Sequence, residues 1–384
     1  MKKKFPLWTW KPIPPGNDNH SACANKSETL PHGFKIIAAR VRGKKPKHEG
    51  RNCDDWFEIA RSGEWGIIAV SDGASSKKLA RVGARVACEA ASNYLVTQLQ
   101  AHKIASRQTW TLDTFARNQT TGQFTAQDIE LTQNILHKAI QAAYHAIEKA
   151  YYARIHSQLC NHDLTLNDFA ATLLLAVHTT VIYQATPYSL VLTCQVGDGM
   201  MAAVGKNNAL TGLLGEIETN GFYGETQFLT SSGIKSAKTF PFFAPMQALM
   251  VMTDGVCDDY YPPAQGMLRL FGDLVLNGIV AVSPTLTTKK INGLNQKINE
   301  YRFFEDRITE TGLCPTPICS VVEYAKTINL SIEDLVATPA LLAAGIPPEI
   351  LNSDSTPESR LQTWLDAYQI RGSFDDRTLV VLSQ

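Results

Sequence analysis

Residues 67–73 read Ile67-Ile68-Ala69-Val70-Ser71-Asp72-Gly73, an apolar run of β-forming residues that ends on an acidic residue and a glycine. The pattern returns as Cys194-Gln195-Val196-Gly197-Asp198-Gly199 and as Leu249-Met250-Val251-Met252-Thr253-Asp254-Gly255. In a fourth place, the pair Asp375-Asp376 precedes the strand-like run Thr378-Leu379-Val380-Val381-Leu382. Carboxylates at neighbouring strand ends repel one another unless a cation lies between them, so the pattern predicts a metal site.

Each acidic motif taken alone has a simpler interpretation. Asp-Gly is a common turn signal, and a single such dipeptide after a strand favours an ordinary tight turn. Three of these turns, together with an Asp-Asp pair before the last strand, are not explained by turn formation alone. Carboxylate and carbonyl oxygens are the ligands that Mg²⁺ and Mn²⁺ prefer, so these are the ions that we expect.

The composition is that of a globular protein with a hydrophobic core. The chain has 384 residues, of which 44% are hydrophobic, and its formal net charge of zero gives no argument for nucleic acid or an anionic membrane as partner. No apolar run approaches the roughly 20 residues of a membrane-spanning helix. The basic start lacks the apolar region of a signal peptide, and the eight cysteines form no CxxC pair. We therefore expect a cytoplasmic protein with reduced thiols.

Secondary-structure patterns divide the chain into an N-terminal arm and one long domain. Residues 1–32 are rich in Pro, Asn, Ser and Lys, which predicts a poorly ordered arm. Strand patterns cover 34–41, 55–60, 65–71, 171–177, 180–184, 188–196, 200–204, 248–253 and 378–382, the fourth and fifth forming a hairpin. Helical patterns cover 79–95, 126–154, 264–281, 287–301, 331–344 and 358–369, whereas 102–125 is predicted to be a loop and 205–245 to be irregular. Without βαβ alternation, this order favours packed sheets flanked by helices over a Rossmann-type fold.

Six motifs, in this order, resemble those of the metal-dependent protein Ser/Thr phosphatases of type 2C, in particular their divergent bacterial branch. They are Asn52-Cys53-Asp54-Asp55, Val70-Ser71-Asp72-Gly73-Ala74, Ala170-Ala171-Thr172-Leu173-Leu174, Gly197-Asp198-Gly199, Thr253-Asp254-Gly255-Val256-Cys257-Asp258 and Asp375-Asp376-Arg377-Thr378. The resemblance implies an α+β fold, a four-layer αββα sandwich of two antiparallel sheets flanked by helices. It implies a single catalytic domain over 33–384, with a flap at about 205–245 and a helical insertion at about 260–370.

The resemblance also implies roles for the acidic residues in a centre of two Mn²⁺ or Mg²⁺ ions. Asp72 would bridge both ions, and the carbonyl group of Gly73 would join one of them. Asp254 and Asp375 would complete the shell of the other ion. Asp54 would act close by, either directly or through a bound water.

A third, weaker ion is implied at Asp198 and Asp258. In the chemistry that the family uses, two ions share a water and lower its pKa, so that the resulting hydroxide attacks phosphorus in line. The cations offset the charge that develops on the phosphoryl oxygens. No nucleophilic side chain is required.

Two features depart from the family's pattern. Eukaryotic members carry a histidine, a proposed general acid, where this chain has Ala74. A metal-bound water or another side chain must then protonate the leaving alcohol, and His48, six residues before Asp54, is either that group or a surface histidine. The family's phosphate-binding arginine corresponds to Arg51, at an unusual spacing, where a guanidinium would grip phosphate through two hydrogen bonds.

Two further groups of charged residues have roles that the sequence leaves open. Lys44, Lys45 and Lys47 are alternative phosphate ligands, although a segment with several lysines is usually just solvated. Asp55 and Asp376 are the second members of acidic pairs, and we expect them to support the ligands from behind or to lie on the surface.

The sequence therefore predicts a cytoplasmic phosphatase that hydrolyses phosphoserine and phosphothreonine in proteins. Its partners would be a phosphorylated protein and a cognate Ser/Thr kinase. One alternative is a non-catalytic module that binds phosphoproteins on the same fold, which the substitution at Ala74 favours and the intact acidic set opposes. The other alternative is a phosphatase for a small phosphorylated metabolite.

Overall fold

The computed structural model describes residues 10–13, 20–102, 127–157, 163–183, 185–215, 226–231, 237–282, 308–309, 312–313, 318–367 and 374–384. Its strands are β1 (Cys23–Thr29), β2 (Lys35–Val41), β3 (Trp56–Ser62), β4 (Trp65–Ser71), β5 (Leu173–Tyr183), β6 (Thr186–Val196), β7 (Met200–Gly205), β8 (Leu210–Leu213), β9 (Lys238–Ala244), β10 (Met246–Met252), β11 (Ile308–Thr309), β12 (Gly312–Leu313) and β13 (Arg377–Ser383). Its helices are α1 (Lys44–Glu49), α2 (Ala80–His102), α3 (Gln127–His156), α4 (Asp254–Cys257), α5 (Pro263–Leu276), α6 (Val321–Ile328), α7 (Ile332–Val336), α8 (Pro339–Ala344), α9 (Pro348–Leu351) and α10 (Pro357–Ala367). Short 3₁₀ turns lie at Pro31–Gly33, Leu166–Phe169 and Asp258–Tyr260.

The strands form two antiparallel sheets. A six-stranded sheet has the order β1-β2-β13-β10-β7-β8, and a five-stranded sheet has the order β3-β4-β5-β6-β9. Strands β11 and β12 pair only with each other. The central strands read as almost continuous apolar runs, such as Leu379-Val380-Val381-Leu382, because both faces of each sheet are covered.

The inner faces of the two sheets pack against each other. The side chains between them include Ile36, Ile68, Leu174, Leu249 and Val380, all of which are at most 1% exposed. Because side chains alternate across a strand, the neighbouring residues point to the outer faces, where helices cover them.

The outer layers consist of helices. The long pair α2 and α3 covers the five-stranded sheet through a buried cluster that includes Ala87, Leu95 and Ile140. Helices α5 to α10 contribute to the cluster on the outer face of the six-stranded sheet, which includes Phe271 and Trp364. The result is the predicted αββα sandwich. A helical insertion was predicted at about 260–370. Most of the residues that the structure describes in this range belong to this outer layer.

The structure corrects the predicted N-terminal arm. Residues 23–29 form β1, which pairs with β2 from Cys23 opposite Val41 to Thr29 opposite Lys35. The backbone of β1 joins the edge of the sheet, but none of its side chains is fully buried. Its sequence therefore lacks the apolar alternation by which a strand is predicted. Residues 1–9 and 14–19 lie outside the described residues.

The structure also corrects two predictions in the middle of the chain. Strand β5 runs without a break to Tyr183, so the turn predicted near 178–179 is wrong. Polar residues suggested that turn, but His178 and Thr179 are buried in the strand. The segment predicted as irregular, 205–245, contains β8 and β9, and β9 completes the five-stranded sheet by pairing with β6. Residues 216–225 and 232–236 of that segment lie outside the described residues.

The helices differ from prediction mainly at their ends. Helix α5 stops at Leu276, two residues before Gly278 with its φ of +64°. The helix predicted over 331–344 is two helices, α7 and α8, because Pro339 disfavours helical geometry at the residue before it. Helix α6 was not predicted. The loop over 103–125 and the helix over 287–301 fall outside the described residues.

Within the described ranges, none of the helices is both long enough and apolar enough to cross a membrane.

A buried histidine makes the stability of the fold depend on pH. His178 is 2% exposed, lies 4.6 Å from the ring of Phe34 between centroids, and contacts the Ser189 hydroxyl at 3.1 Å. Burial, with a smaller effect from His32, lowers the pKa of His178 to about 3. The unfolded chain therefore takes up a proton below its ordinary pKa while the folded chain does not. Stability is lost as the pH falls from about 6.5 towards about 3.

We expect His178→Gln to reduce this loss. Between pH 7 and pH 5, the wild-type chain should lose about 2 kcal/mol more unfolding free energy than the variant does. Urea unfolding at the two pH values measures the difference. The control is His145→Gln, because His145 lies on the surface with its side chain 73% exposed. Equal pH dependence in the wild type and His178→Gln would contradict the prediction.

Candidate metal centre

The acidic motifs meet because antiparallel pairing places the end of one strand beside the start of its neighbour. In the five-stranded sheet, Trp56 at the start of β3 pairs with Ser71 at the end of β4. Asp55 and Asp72 therefore leave the same edge of that sheet. In the six-stranded sheet, β10 and β13 are antiparallel neighbours, so the residues that follow β10 lie beside those that precede β13.

Asp55 joins the two sheets and is 1% exposed. Its Oδ2 atom accepts hydrogen bonds from the hydroxyl groups of Thr253, at 2.9 Å, and Thr378, at 2.7 Å. Its Oδ1 atom is buried and has no hydrogen-bond donor. Asp55 is thus inside the acidic cluster, and the expectation of a surface position is wrong for this residue.

Asp72 and Asp254 are half-buried members of the same cluster. Burial raises the pKa of Asp72 well above its usual range, and the carboxylates of Asp254, Asp55 and Asp375 raise it further. Burial likewise raises the pKa of Asp254, with added repulsion from Asp198, Asp55 and Asp375. These groups are close enough to disfavour one another's ionised forms, so a positive charge is needed if all are to ionise at neutral pH.

Strand β5 fixes the turn that carries Asp72. The backbone N–H of Asp72 donates to the Thr172 hydroxyl at 2.9 Å, and the Asp72 carbonyl accepts from the Thr172 N–H at 2.8 Å. Gly73 forms an isolated bridge with Ala171. A Cβ atom on Gly73 would lie 2.7 Å from the Asp54 carbonyl oxygen, so this close approach requires glycine.

Asp54 faces an arginine at the edge of the cluster. Arg51 Nη2 donates to Asp54 Oδ2 at 3.1 Å and to the Ser75 carbonyl at 2.7 Å, while its Nη1 donates to Glu49 at 3.1 Å. Burial raises the pKa of Asp54 to about 6 even though Arg51 opposes the shift. The structure therefore places a guanidinium directly beside the acidic cluster.

Asp376 holds the early loop against the start of β13. It is 3% exposed, and its carboxylate accepts from the backbone N–H groups of Gly43, at 2.7 Å, and Asp54, at 2.6 Å. Asp375 Oδ1 in turn accepts from the Asp376 N–H at 2.9 Å. The surface position considered for Asp376 is therefore wrong. Gly255 packs on the same segment, since an added Cβ would lie 1.8 Å from the Asp376 carbonyl oxygen.

Asp198 and Asp258 lie towards the solvent side of the cluster. Asp198 is half-buried and accepts a hydrogen bond from the Thr226 hydroxyl at 2.9 Å. Asp258 is exposed, and its pKa is raised by burial of part of the group and by the carboxylates of Asp198, Asp259 and Asp375. The carboxylates of both residues raise the pKa of Asp254.

The other predicted residues near Arg51 have different positions. His48 is half-buried in α1, and it is not among the described residues that line the cavity beside Arg51. Lys47 is buried, forms an ion pair with Asp366 and lies 4.9 Å from the centroid of the Trp10 ring. Its proposed use as a phosphate ligand is therefore wrong, because its charge is neutralised inside the protein.

The residues fit a divalent cation by their chemistry. Among the described residues, no three His, Cys, Asp or Glu side chains form a ready-made metal-binding group. The cluster nevertheless offers oxygen donors only, which suit Mg²⁺ and Mn²⁺. The buried Asp55 Oδ1 atom has no donor, and such an atom is stabilised by a nearby cation.

Sequence reasoning missed the part that Asp55 and its two threonines play. Thr253 precedes the Asp254-Gly255 dipeptide, and Thr378 follows the acidic pair by two residues. The two threonine hydroxyls indicate a buried acceptor between the strands. The residues around Asp55 in sequence do not identify Asp55 as that acceptor.

The chain is similar to one protein family and to several solved structures. The family model described as protein phosphatase 2C matches residues 42–279. No curated protein matches the chain. Similar solved structures are the photosystem II phosphatase PBCP (12% identical, 92% of this chain and 99% of that chain covered, TM-score 0.39) and the Ser/Thr phosphatase Stp1 from Staphylococcus aureus (9%, 93% and 97%, 0.38). RsbX in complex with magnesium is a third (12%, 94% and 99%, 0.36).

Proposed function

The chain belongs to the protein phosphatase 2C family, and on this premise we propose that it is a metal-dependent phosphatase of phosphoserine and phosphothreonine in proteins. The observation that carries the proposal is the cluster of mutually repelling carboxylates around Asp72, with a buried Asp55 oxygen that has no donor. A non-catalytic module has no need for such a cluster, because repelling carboxylates destabilise the fold.

We assign the binding of two Mn²⁺ or Mg²⁺ ions to the predicted residues and add Asp55 as a supporting group. The ligands would be Asp72, the Gly73 carbonyl, Asp254, Asp375 and Asp54, and the Asp55 carboxylate would support them from behind. When bound, the ions supply an activated water and offset negative charge on the phosphoryl group. Asp198 and Asp258, which lie on the solvent side of Asp254, would hold a third ion.

Arg51 would bind the phosphoryl oxygens of the substrate. Its guanidinium lies beside Asp54 and is held by the Ser75 carbonyl and Glu49, so its position is fixed before substrate arrives. A guanidinium held in one position binds phosphate in a defined orientation. Asp376 supports this arrangement by fixing the backbone at Asp54. Ala74 leaves the proton donor for the leaving alcohol open, and His48 remains a proposal for that role.

We place the protein in the cytoplasm, with a phosphorylated protein as substrate and a Ser/Thr kinase as its counterpart. The free cysteines among the described residues, most of them buried, are typical of a reducing compartment.

The proposal is tested by hydrolysis of a phosphoserine peptide with Mn²⁺, and with Mn²⁺ plus excess EDTA. We expect phosphate release only with free Mn²⁺. The same assay with small phosphorylated sugars and nucleotides tests the metabolite alternative, which faster turnover of those compounds would support. Phosphate release that EDTA leaves unchanged would reject the metal-dependent mechanism.

A further inference from the structure

A positively charged cavity lies next to the acidic cluster, beside Arg51 and Asp54. Its volume is about 320 Å³. The segment that follows the Asp72-Gly73 turn also lines the cavity, through Ser75, Ser76, Lys77, Lys78 and Arg81. The cavity is therefore lined both by the proposed phosphate-binding arginine and by Asp54, one of the proposed metal ligands.

Cationic side chains outnumber carboxylates in the lining of this cavity. Its lining contains four cationic side chains, Arg51, Lys77, Lys78 and Arg81, and one carboxylate, Asp54. Arg51 is already engaged by Asp54, and Arg81 acts on the same carboxylate by lowering its pKa. Carboxylates outside the lining offset part of this positive charge, since Glu49 pairs with Arg51, and Lys77 and Lys78 lower the pKa of Asp168. The remaining positive charge concentrates anions in the cavity.

The lysines are carried by a short turn that is anchored to the rest of the protein. The Ala74 N–H donates to the Ala170 carbonyl at 3.0 Å, and the Leu79 N–H donates to the Asp168 carbonyl at 2.9 Å. Between these anchors, the Lys77 N–H closes a turn onto Ala74 at 2.9 Å. Helix α2 begins immediately afterwards, so its N-terminal end adds favourable interactions with an anion.

We propose that this cavity binds a second anionic group of the phosphorylated substrate, next to the phosphoryl group that is hydrolysed. This inference rests on the proposed function, since Arg51 and the metal ions would take the first phosphate. Lys77, Lys78 and Arg81 then supply more positive charge than a single phosphate uses. The second group is a glutamate or aspartate carboxylate, or a second phosphate, and the enzyme prefers phosphorylation sites with such a neighbour.

The test uses three phosphoserine peptides that differ only in the flanking residues, which are alanine, glutamate or a second phosphoserine. Fluorescence anisotropy with the full chain in EDTA gives the Kd of each peptide without hydrolysis, and a thermal melt confirms that this protein is folded. Hydrolysis with Mn²⁺ then gives kcat/KM. We expect the acidic peptides to be favoured about tenfold over the alanine peptide, in Kd and in kcat/KM.

Two variants change the cavity: a double variant with Lys77→Ala and Lys78→Ala, and the single variant Arg81→Ala. The control variant is Lys206→Ala. Lys206 is exposed in the turn between β7 and β8 and is absent from the cavity lining. The first two should reduce the preference to about twofold or less, whereas the control should keep the wild-type ratio. A larger preference for phosphate than for glutamate identifies a second phosphate as the better ligand.

Two outcomes overturn the inference: equal Kd values for the three peptides, or a preference that survives the cavity substitutions. A preference in Kd without Mn²⁺-dependent hydrolysis supports the cavity as a binding site and rejects the proposed catalytic function. The binding and hydrolysis measurements therefore separate failure of the inference from failure of the function on which it rests.

Discussion

Asp72→Asn is expected to lower kcat/KM for a phosphoserine peptide on the order of 10³-fold or more, because several kcal/mol of transition-state stabilisation depend on the metal ions. Asparagine keeps the size of the side chain and its place in the turn fixed by Thr172. It removes the charge that lies against Asp254 and Asp55. Initial rates at saturating Mn²⁺ measure the effect.

The same substitution should have the opposite effect on the metal-free fold. Replacing one of several repelling carboxylates with a neutral amide relieves repulsion, so metal-free Asp72→Asn should unfold at a higher temperature than the metal-free wild type. The increase in melting temperature on adding Mn²⁺ should be smaller in the variant. This readout does not depend on catalysis.

The control for Asp72→Asn is Asp354→Asn, which removes the same charge from an exposed position. It should leave both the rate and the response to Mn²⁺ unchanged. Full activity of Asp72→Asn, or an unchanged thermal response to Mn²⁺, would show that Asp72 holds no metal.

Asp55→Asn is the second substitution with a large expected effect. Asparagine can still accept hydrogen bonds from Thr253 and Thr378, but it lacks the negative charge of the buried Oδ1 atom. We expect Mn²⁺ affinity to fall about 10- to 100-fold, the range found when groups that support metal ligands are changed. Titration calorimetry with Mn²⁺ measures the affinity, and activity should recover at high Mn²⁺ concentration.

Asp273→Asn is the matched control for Asp55→Asn. Burial raises the pKa of Asp273 to about 6, as it does the pKa of Asp55. Asp273, however, accepts hydrogen bonds from the Tyr260 hydroxyl and the Val321 N–H in the helical layer. Its substitution should lower stability without changing Mn²⁺ affinity. If Asp55→Asn binds Mn²⁺ as tightly as the wild type, Asp55 supports the fold rather than the metal centre.

Much of the architecture follows from local sequence patterns. The apolar runs that end at Asp72 and Asp254 are buried strands. The helix predicted over 126–154 is found at 127–156, whereas the helix predicted over 79–95 begins at Ala80 and runs on to His102. Local patterns failed where tertiary contacts replace local preference. Strand β1 is polar because it lies at the sheet edge, and His178 is polar inside a strand because Ser189 on the neighbouring strand provides its partner.

Some features were beyond local reasoning because they join distant parts of the chain. The hydroxyls that hold Asp55 are 198 and 323 residues away in sequence, so no local pattern distinguishes Asp55 from Asp54. The basic cavity likewise combines the loop at Arg51 with the turn that carries Lys77 and Lys78. Neither lysine belongs to an acidic motif.

The sequence alone determined that acidic residues lie at the ends of buried strands, since strand formation and turns depend on neighbouring residues. It also determined the family, because the motifs keep their order along the chain. Only the tertiary structure decided which carboxylates meet, which oxygen lacks a donor and where positive charge collects. These properties depend on how the two sheets stack and on the loops that their edges bring together.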